Sequence, residues 1–309
     1  METVVCDFCG ADQTSILYSG TDLDEPILKD SAIVRCAQCG LMYLNPRPSE
    51  AEIGFFYPPD YRNYQGAIED EKFAIMRWMR NKKMAQRREK IEKYSGLTSG
   101  RILDVGCSTG LFLNEMQKSG WSAQGIEPTP SAAQYAKNRF HLEIFQGFLA
   151  EADYEPASFD VITFWDVLEH SFSPRRDLQK TAQLLRPGGL VAINVPNWHS
   201  PDRMLFGPNW IGLDPPRHLY IFTRKTLTLL LKQAGLVPLA WVCFMPGYFS
   251  FIISIERWLN AKAPRLTKPV SQFLNFPGMR LIFQPYFSLA NLTGHGGVIS
   301  VFARNAKQE

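Results

Sequence analysis

Four cysteines near the start of the sequence are spaced as metal ligands. Cys6 and Cys9 form one Cys-x2-Cys-Gly pair, and Cys36 and Cys39 form a second pair after 26 intervening residues. Two such pairs supply four thiolates, the donor set of a closed structural zinc site, and the residues between them suffice for a small hairpin. The spacing therefore predicts an N-terminal zinc ribbon with these four cysteines as its ligands.

A glycine-containing turn is the second pattern that could do chemistry. The apolar residues 101–105 lead into DVGCSTG, in which Gly106 and Gly110 let the backbone approach a ligand at the start of a helix. Glu127 follows Gly106 by 21 residues, at the end of the next apolar run, where a carboxylate can accept hydrogen bonds from both hydroxyls of an adenosine ribose. The spacing departs from G-x-G-x-x-G, and Asp104 would repel a pyrophosphate while suiting an ammonium group. The pattern therefore argues against a dinucleotide site.

At these motifs the chain resembles the class I S-adenosylmethionine-dependent methyltransferases, over roughly residues 90–240. The resemblance rests on DVGCSTG at residues 104–110, GIEP at 125–128, FDVITFWDVLEH at 159–170 and LRPGGL at 185–190. Within that class the chain is similar to the ubiquinone-biosynthesis O-methyltransferases, and its zinc-ribbon form resembles bacterial methyltransferases of sugars and natural products. The resemblance implies an α/β fold with a Rossmann-like seven-stranded sheet, and S-adenosylmethionine as the cofactor.

The resemblance also implies which residues contact the cofactor. The turn at Gly106 would contact the methionine part and Glu127 the ribose, while Phe148 and Leu149 would flank the adenine. Arg87 would correspond to an arginine that reaches the cofactor carboxylate. The implied cofactor-binding residues are Arg87, Asp104, Gly106, Cys107, Ser108, Gly110, Glu127, Pro128, Phe148, Leu149, Trp165 and Asp166. Ala150 stands where the family often has a carboxylate for the adenine amine, which leaves Glu151 or Asp153 as alternatives.

Candidate catalytic side chains follow the apolar segment at residues 159–165. Asp166, Glu169 and His170 share one face if the chain turns helically there. Three interpretations stay open: His170 is a general base oriented by a carboxylate, the three residues bind a divalent metal as the resemblance implies, or they cap and brace the turn. His218, in PPRHLY, is a second catalytic candidate, with loop packing as its alternative.

The surrounding sequence alternates between strand and helix patterns, which predicts a parallel sheet covered by helices on both faces. Ser131 is expected to cap one of the helices. The predicted strands are residues 101–105, 121–126, 142–146, 159–165, 190–195, 236–244 and 298–303, and the predicted helices are 111–118, 131–139, 177–185 and 226–233.

The domain organisation follows from these patterns. Residues 1–45 form the zinc ribbon, and residues 46–95 form a connecting segment and a helix. Residues 96–245 together with 296–309 form the methyltransferase domain. Residues 246–295 form an apolar, aromatic insertion before the last strand, which we interpret as a lid over the acceptor or an interfacial segment that touches a membrane. The alternative is that its helices simply pack on the main domain.

Composition narrows the class of partner. The apolar fraction of 45% and charged fraction of 20% are typical of a globular protein, and no secretory leader or bilayer-length apolar run is recognisable. The net charge of +3 is too weak to favour a nucleic-acid acceptor. We therefore expect a cytoplasmic enzyme, with peripheral contact to the inner face of the membrane through residues 246–295, that acts on a small-molecule or sugar-containing acceptor. The alternatives are an rRNA or tRNA methyltransferase and a non-catalytic scaffold that binds S-adenosylmethionine; the sequence carries no signal for an oligomeric state.

Overall fold

A computed structural model of the chain describes residues 1–23, 28–57, 66–245, 247–276 and 278–306. The predicted connecting segment and helix at residues 46–95 and the predicted insertion at 246–295 therefore lie partly outside the described residues, at 58–65, 246 and 277. The described strands are β1 Thr14–Ser19, β2 Ala32–Cys36, β3 Met42–Asn45, β4 Arg101–Val105, β5 Ser122–Ile126, β6 Glu143–Phe145, β7 Phe159–Trp165, β8 Leu185–Pro196, β9 Tyr220–Ile221, β10 Leu236–Val242 and β11 Val298–Asn305. The described helices are α1 Glu50–Ile53, α2 Ala74–Ser95, α3 Leu111–Lys118, α4 Pro130–Phe140, α5 Pro174–Leu184, α6 Pro201–Phe206, α7 Arg224–Gln233, α8 Tyr248–Lys262, α9 Pro264–Leu274 and α10 Met279–Leu292.

The larger sheet has seven strands in the order β10-β11-β8-β7-β4-β5-β6. Strands β4 to β8 pair in parallel, whereas β11 pairs antiparallel with both β8 and β10. The chain leaves β10, passes through α8 to α10 and enters the sheet again from the same edge, so β11 runs in the opposite direction. The predicted seven-stranded Rossmann-like fold is confirmed, with one strand reversed relative to the all-parallel sheet that the alternation predicts.

Two local predictions are wrong for identifiable reasons. Helix α4 begins after Thr129, because Pro130 occupies its first position, where the fixed φ of proline suits a helix start; Ser131 is inside the helix and does not cap it. Strand β8 begins at Leu185 rather than at residue 190. Its register against β7 shifts between Phe159 and Val161, so the Pro-Gly-Gly segment forms an irregularity within the strand instead of a loop before it.

The smaller sheet is antiparallel and has the order β1-β2-β3-β9. Its last strand, Tyr220–Ile221, comes from the loop between β8 and α7, so the N-terminal ribbon is completed by a later part of the chain. Tyr43 and Tyr220 are buried in a core that also contains Leu227 of α7 and strands of the larger sheet. The two sheets therefore share one hydrophobic core.

Helices α8 to α10 occupy the predicted insertion. Phe251 and Phe287 pack edge to face and belong to one buried cluster with Trp210 and with ribbon residues such as Met42. The outer side of α10 remains apolar and exposed, with Leu292 86% exposed. Among the described residues, none of the helices is long and apolar enough to cross a membrane.

Candidate functional site

The glycine turn between β4 and α3 is tied to the end of β5. The backbone N–H groups of Gly106 and Cys107 both donate to the carbonyl of Ile126, at 2.8 and 3.0 Å. Gly106 has φ +70°, and a Cβ there would come within 2.6 Å of Val167. A side chain at this position would be strained and obstructed, so glycine is required for the turn to keep this shape.

Glu127 lies directly beside this turn. Its Oε2 accepts from the backbone N–H of Ser108 at 2.8 Å, and its Oε1 accepts from the N–H of Thr129 at 2.9 Å. Burial raises the pKa of the carboxyl, and these two backbone hydrogen bonds oppose that rise. The side chain is thus held in one orientation at the carboxyl end of β5, where ligands of open parallel sheets bind.

Asp104 and Arg87 place a second set of charges next to the turn. Asp104 is buried near the end of β4 and accepts from Thr163 Oγ1 at 2.5 Å. Burial raises the pKa of Asp104 to about 7, and the hydrogen bond from Thr163 and the nearby charge of Arg87 oppose the rise. A bound cation would favour the ionised form of this carboxyl.

Arg87 projects from α2 toward the end of β7. Its guanidinium lies 4.6 Å from the ring centroid of Trp165, and its Nη2 is 3.4 Å from Asp166 Oδ2. Asp166 has φ +61° and accepts from Asn194 Nδ2 at 2.5 Å, so β8 fixes its position. The Nε atom of Arg87 and the Nε1 atom of Trp165 are buried and have no hydrogen-bond partner among the described residues. Two donors are therefore available beside the turn.

The predicted adenine-flanking residues follow β6. The backbone N–H of Gly147 donates to the Glu127 carbonyl at 3.2 Å, which joins the ends of β5 and β6. Phe148 is 46% exposed and Leu149 is buried. The Phe148 N–H donates to Glu151 Oε2 at 2.7 Å, so that carboxylate is turned back onto its own loop. The structure thus brings the predicted cofactor residues together at the carboxyl ends of β4, β5, β6 and β7, with Arg87 added from α2.

His170 and His218, which lie on different loops, contact each other in the folded chain. Their ring centroids are 4.6 Å apart in an edge-to-face arrangement. His170 Nδ1 lies 3.0 Å from the carbonyl of Arg217 and 2.8 Å from the Tyr57 hydroxyl, and His218 Nδ1 lies 2.9 Å from the carbonyl of Gly212. A carbonyl only accepts, so each Nδ1 carries its proton and each Nε2 is left as an acceptor.

Burial governs the charge of this histidine pair. Burial, with a smaller contribution from His218, lowers the pKa of His170 to about 3, and burial also lowers the pKa of His218. Glu169 is buried, its pKa is raised well above the ordinary value by burial, and its Oε2 has no hydrogen-bond partner within the described parts of the chain. Glu169, His170 and His218 offer ligand atoms that lie within 4.8 Å of one another, so a divalent metal is a chemical possibility for this cluster.

The predicted trio of Asp166, Glu169 and His170 does not share one face. Asp166 turns toward Arg87 and Asn194, whereas the other two residues meet His218. Asp214 braces the loop that carries His218, because Arg217 binds its carboxylate bidentately at 2.7 and 2.8 Å. Arg257 of α8 binds the same carboxylate, which the sequence interpretation did not foresee.

The four ribbon cysteines also lie together. Cys6 Sγ is 3.4 Å from Cys39 Sγ, Cys9 Sγ is 3.5 Å from Cys36 Sγ, and all four sulfurs lie within 4.8 Å of one another. A tetrahedral site with Zn–S bonds of about 2.3 Å separates sulfurs by about 3.8 Å, so only small shifts separate this cluster from a zinc geometry.

Comparison with known proteins adds an independent result. Residues 76–240 match the family model described as a methyltransferase domain. The ubiquinone biosynthesis O-methyltransferase of Azoarcus sp. (strain BH72) is 31% identical over 118 residues, which cover 35% of this chain and 48% of that protein. The enzyme of the same name from Aeromonas salmonicida (strain A449) is 36% identical over 159 residues, covering 47% of this chain and 66% of that protein.

The fold comparison agrees with the sequence comparison. The crystal structure of a SAM-dependent methyltransferase from Archaeoglobus fulgidus superposes with a TM-score of 0.50 at 17% identity, covering 73% of this chain and 94% of that one. At this identity the likeness concerns the fold alone. The chain spans about half the length of the first curated relatives that it matches.

Proposed function

The chain belongs to the methyltransferase domain family, and from this premise we propose that it transfers a methyl group from S-adenosylmethionine to a small-molecule or sugar-containing acceptor. The observation that carries the proposal is the contact between Glu127 and the Ser108 N–H, which joins the glycine turn to a carboxylate at the end of the next strand. This pairing suits an adenosine ribose next to an amino-acid tail. S-adenosylmethionine, when bound, supplies an electrophilic methyl group on a sulfonium.

Each group of site residues would have its own part of the cofactor to hold. The buried Asp104 fits an ammonium, since a cation would favour its ionised form. Arg87 fits the carboxylate at the other end of the amino acid, because its buried Nε has no partner among the described residues. Glu127 and Pro128 would face the ribose, and Phe148 and Leu149 the adenine.

The methionine part of the cofactor would contact the glycine turn, formed by Gly106, Cys107, Ser108 and Gly110. Trp165 and Asp166, at the end of β7, would border the reacting centre. These assignments agree with the common location of the residues at one edge of the sheet.

We propose that His170 is the general base for a protic acceptor, with His218 packed against it. A lowered pKa keeps both rings neutral near pH 7, and each Nε2 is the acceptor atom. His170 is half-buried while His218 is buried, so His170 is the ring that an acceptor can reach. The competing interpretation, a divalent metal held by Glu169, His170 and His218, predicts a metal ion in addition to zinc.

We propose that Cys6, Cys9, Cys36 and Cys39 hold one structural zinc ion. The ribbon at residues 1–45 and the methyltransferase domain at 96–245 with 296–309 would then act as one unit, since β9 completes the ribbon sheet. Helices α8 to α10 would cover the ribbon and present an exposed apolar side to the acceptor or to a membrane.

The first experiment is a calorimetric titration with S-adenosylhomocysteine. We expect one micromolar site per chain, and at least a tenfold loss of affinity in Glu127→Ala, because the ribose would lose charge-assisted hydrogen bonds. Glu143→Ala is the matched control, since Glu143 lies on the neighbouring strand and instead accepts a hydrogen bond from the half-buried Gln124. A folded, zinc-loaded protein that binds no S-adenosylhomocysteine would contradict the proposal.

A further inference from the structure

A cavity of about 550 Å³ lies between the zinc ribbon and the edge of the large sheet. The turn at Cys39 and Gly40, the loop after β8, the first turn of α7 and the residues before β11 form its walls. None of the described residues that line it is acidic. The lining includes five basic side chains: Arg35, His199, Arg224, Lys225 and His295.

These basic groups come from different parts of the fold but face one space. Arg35 belongs to the ribbon, Arg224 and Lys225 begin α7, and His295 precedes β11. Burial lowers the pKa of His199, and the nearby positive charge of Arg203 and, to a smaller extent, of Arg224 and His295 adds to this. A cavity with three permanent positive charges and no acidic lining attracts an anion.

The cavity is linked to the methyl-transfer site through the end of β8. Asn194 donates to Asp166, and Asn197, only three residues later, lines the cavity. Three residues of extended chain cover roughly 10 Å. Asn197 Nδ2 also donates to the carbonyl of Gly296 at 2.9 Å, and its Oδ1 accepts from the His199 N–H at 3.1 Å, so it holds two walls of the cavity in place.

We propose that this cavity binds a phosphate group of the methyl acceptor, which makes the acceptor a phosphate- or diphosphate-bearing molecule. This inference rests on the proposed methyltransferase function. The roughly 10 Å from Asn194, which holds Asp166, to Asn197, which lines the cavity, is comparable to the length of a sugar unit or a similar group between the phosphate and the methylated atom. Arginine and lysine at opposite walls supply the charge-assisted hydrogen bonds that phosphate oxygens accept.

Arg35 could instead compensate the negative charge of a zinc tetrathiolate next to the cavity. Four thiolates and one Zn²⁺ carry a net charge of about −2, and Arg35 is the neighbour of Cys36. Cys39 is itself part of the lining, so charge compensation for the cluster is the competing explanation for the basic residues, and most directly for Arg35. A variant on each wall therefore separates the two roles.

The experiment is a titration of the zinc-loaded full chain with inorganic pyrophosphate and with UDP, each with a parallel titration of S-adenosylhomocysteine. We expect wild type to bind at least one of the two anions. We expect Arg35→Gln and Lys225→Gln each to weaken that binding about tenfold while leaving S-adenosylhomocysteine affinity unchanged. Lys232→Gln, at the other end of α7 and outside the cavity, should behave as wild type.

The arms of the experiment also identify the source of the phosphate. Tighter binding of UDP than of pyrophosphate would assign a nucleotide-linked acceptor. Sedimentation with phosphatidic-acid vesicles but not with phosphatidylcholine vesicles, lost in Lys225→Gln, would assign a lipid-linked one, and the exposed Leu292 next to the cavity would then face the lipid.

Two results would overturn the inference while leaving the methyltransferase function intact. One is normal S-adenosylhomocysteine binding with no binding of pyrophosphate, UDP or anionic vesicles. The other is anion binding that Lys225→Gln leaves unchanged. Anion binding without S-adenosylhomocysteine binding would instead overturn the proposed function and, with it, the acceptor role of the cavity.

Discussion

The imidazole rings of His170 and His218 meet edge to face with their centroids 4.6 Å apart. His170 ends the short turn after β7, and His218 lies in the loop that leads to β9, so the fold rather than the local sequence brings them together. The Nδ1–H group of each ring donates a hydrogen bond to a backbone carbonyl, which leaves Nε2 as the acceptor atom. The pair can therefore accept a proton or bind a metal, and both properties can be measured.

The pH dependence of the methyl-transfer rate tests whether His170 is the general base. Because the pKa of His170 is lowered to about 3, the ring stays neutral and active as the pH falls from about 8 to about 5. A histidine with the ordinary pKa of about 6.5 would lose most of its activity over that range. We expect a flat pH–rate profile in wild type, and a fall in kcat of about 100-fold or more in His170→Gln with unchanged S-adenosylhomocysteine affinity.

A control variant and a metal analysis complete the test of His170. His141→Asn should keep full activity, because His141 lies at the end of α4 in a left-handed conformation that asparagine tolerates. Metal analysis should find one zinc per chain if His170 is a base. A second metal that is lost in His170→Gln, His218→Gln and Glu169→Gln would replace the base by a metal site.

A comparison of two ligands isolates the role of Arg87. S-adenosylhomocysteine carries an amino-acid tail, and 5′-methylthioadenosine has the same nucleoside without it. If Arg87 binds the carboxylate, Arg87→Gln should weaken S-adenosylhomocysteine binding at least tenfold and change 5′-methylthioadenosine binding little. Glu127→Ala should weaken both ligands. Arg88→Gln is the matched control, because Arg88 lies on the same helix and pairs with Glu92 and Glu115. Equal losses of affinity for both ligands in Arg87→Gln would rule out the carboxylate role of Arg87.

Much of this site could be predicted because its residues belong to short motifs that can be recognised in the sequence. The glycine turn, Glu127 and the cysteine pairs each stand at fixed distances along the chain, so their geometry follows from one turn or one hairpin. Asn194 was missed, although a polar residue in an otherwise apolar predicted strand is a recognisable signal. It is buried, accepts from Ser300 and holds Asp166.

Other features depend on contacts between distant segments. The pairing of β3 with β9 joins residues 42–43 to 220–221, and a two-residue strand has no periodicity to detect. The binding of Asp214 by Arg257 depends on how α8 packs, which the apolar pattern of the insertion does not determine. The reversal of β11 depends on where three inserted helices return the chain to the sheet.

Removal of zinc should affect the whole chain rather than the ribbon alone. Without the metal the four cysteines would lose the bonds that hold them together, and the core around Tyr43 and Tyr220 continues into the large domain. We expect a chelator to release one zinc per chain and to lower Tm, and Cys9→Ser to do the same. Cys243→Ser, outside the cluster, should keep both its zinc and its Tm. Zinc release with unchanged Tm would mean that the ribbon folds without metal.

The buried carboxyl of Asp104 should make stability fall as pH rises. Its folded pKa is raised to about 7 from an ordinary value near 3.8, so between these pH values the folded chain holds a proton that the unfolded chain has lost. The destabilisation therefore grows as pH rises through this window and is complete above about pH 7. Asp104→Asn removes the buried charge and keeps a partner for Thr163, so its Tm should exceed that of wild type at pH 8 by more than at pH 5.

The same substitution should weaken the cofactor site. An amide cannot pair with an ammonium group as a carboxylate does, so Asp104→Asn should bind S-adenosylhomocysteine more weakly while it melts at a higher temperature. Binding of 5′-methylthioadenosine, which has no ammonium group, should change little. A Tm gain that is the same at pH 5 and pH 8 would show that Asp104 titrates normally, and unchanged S-adenosylhomocysteine affinity would remove it from the cofactor site.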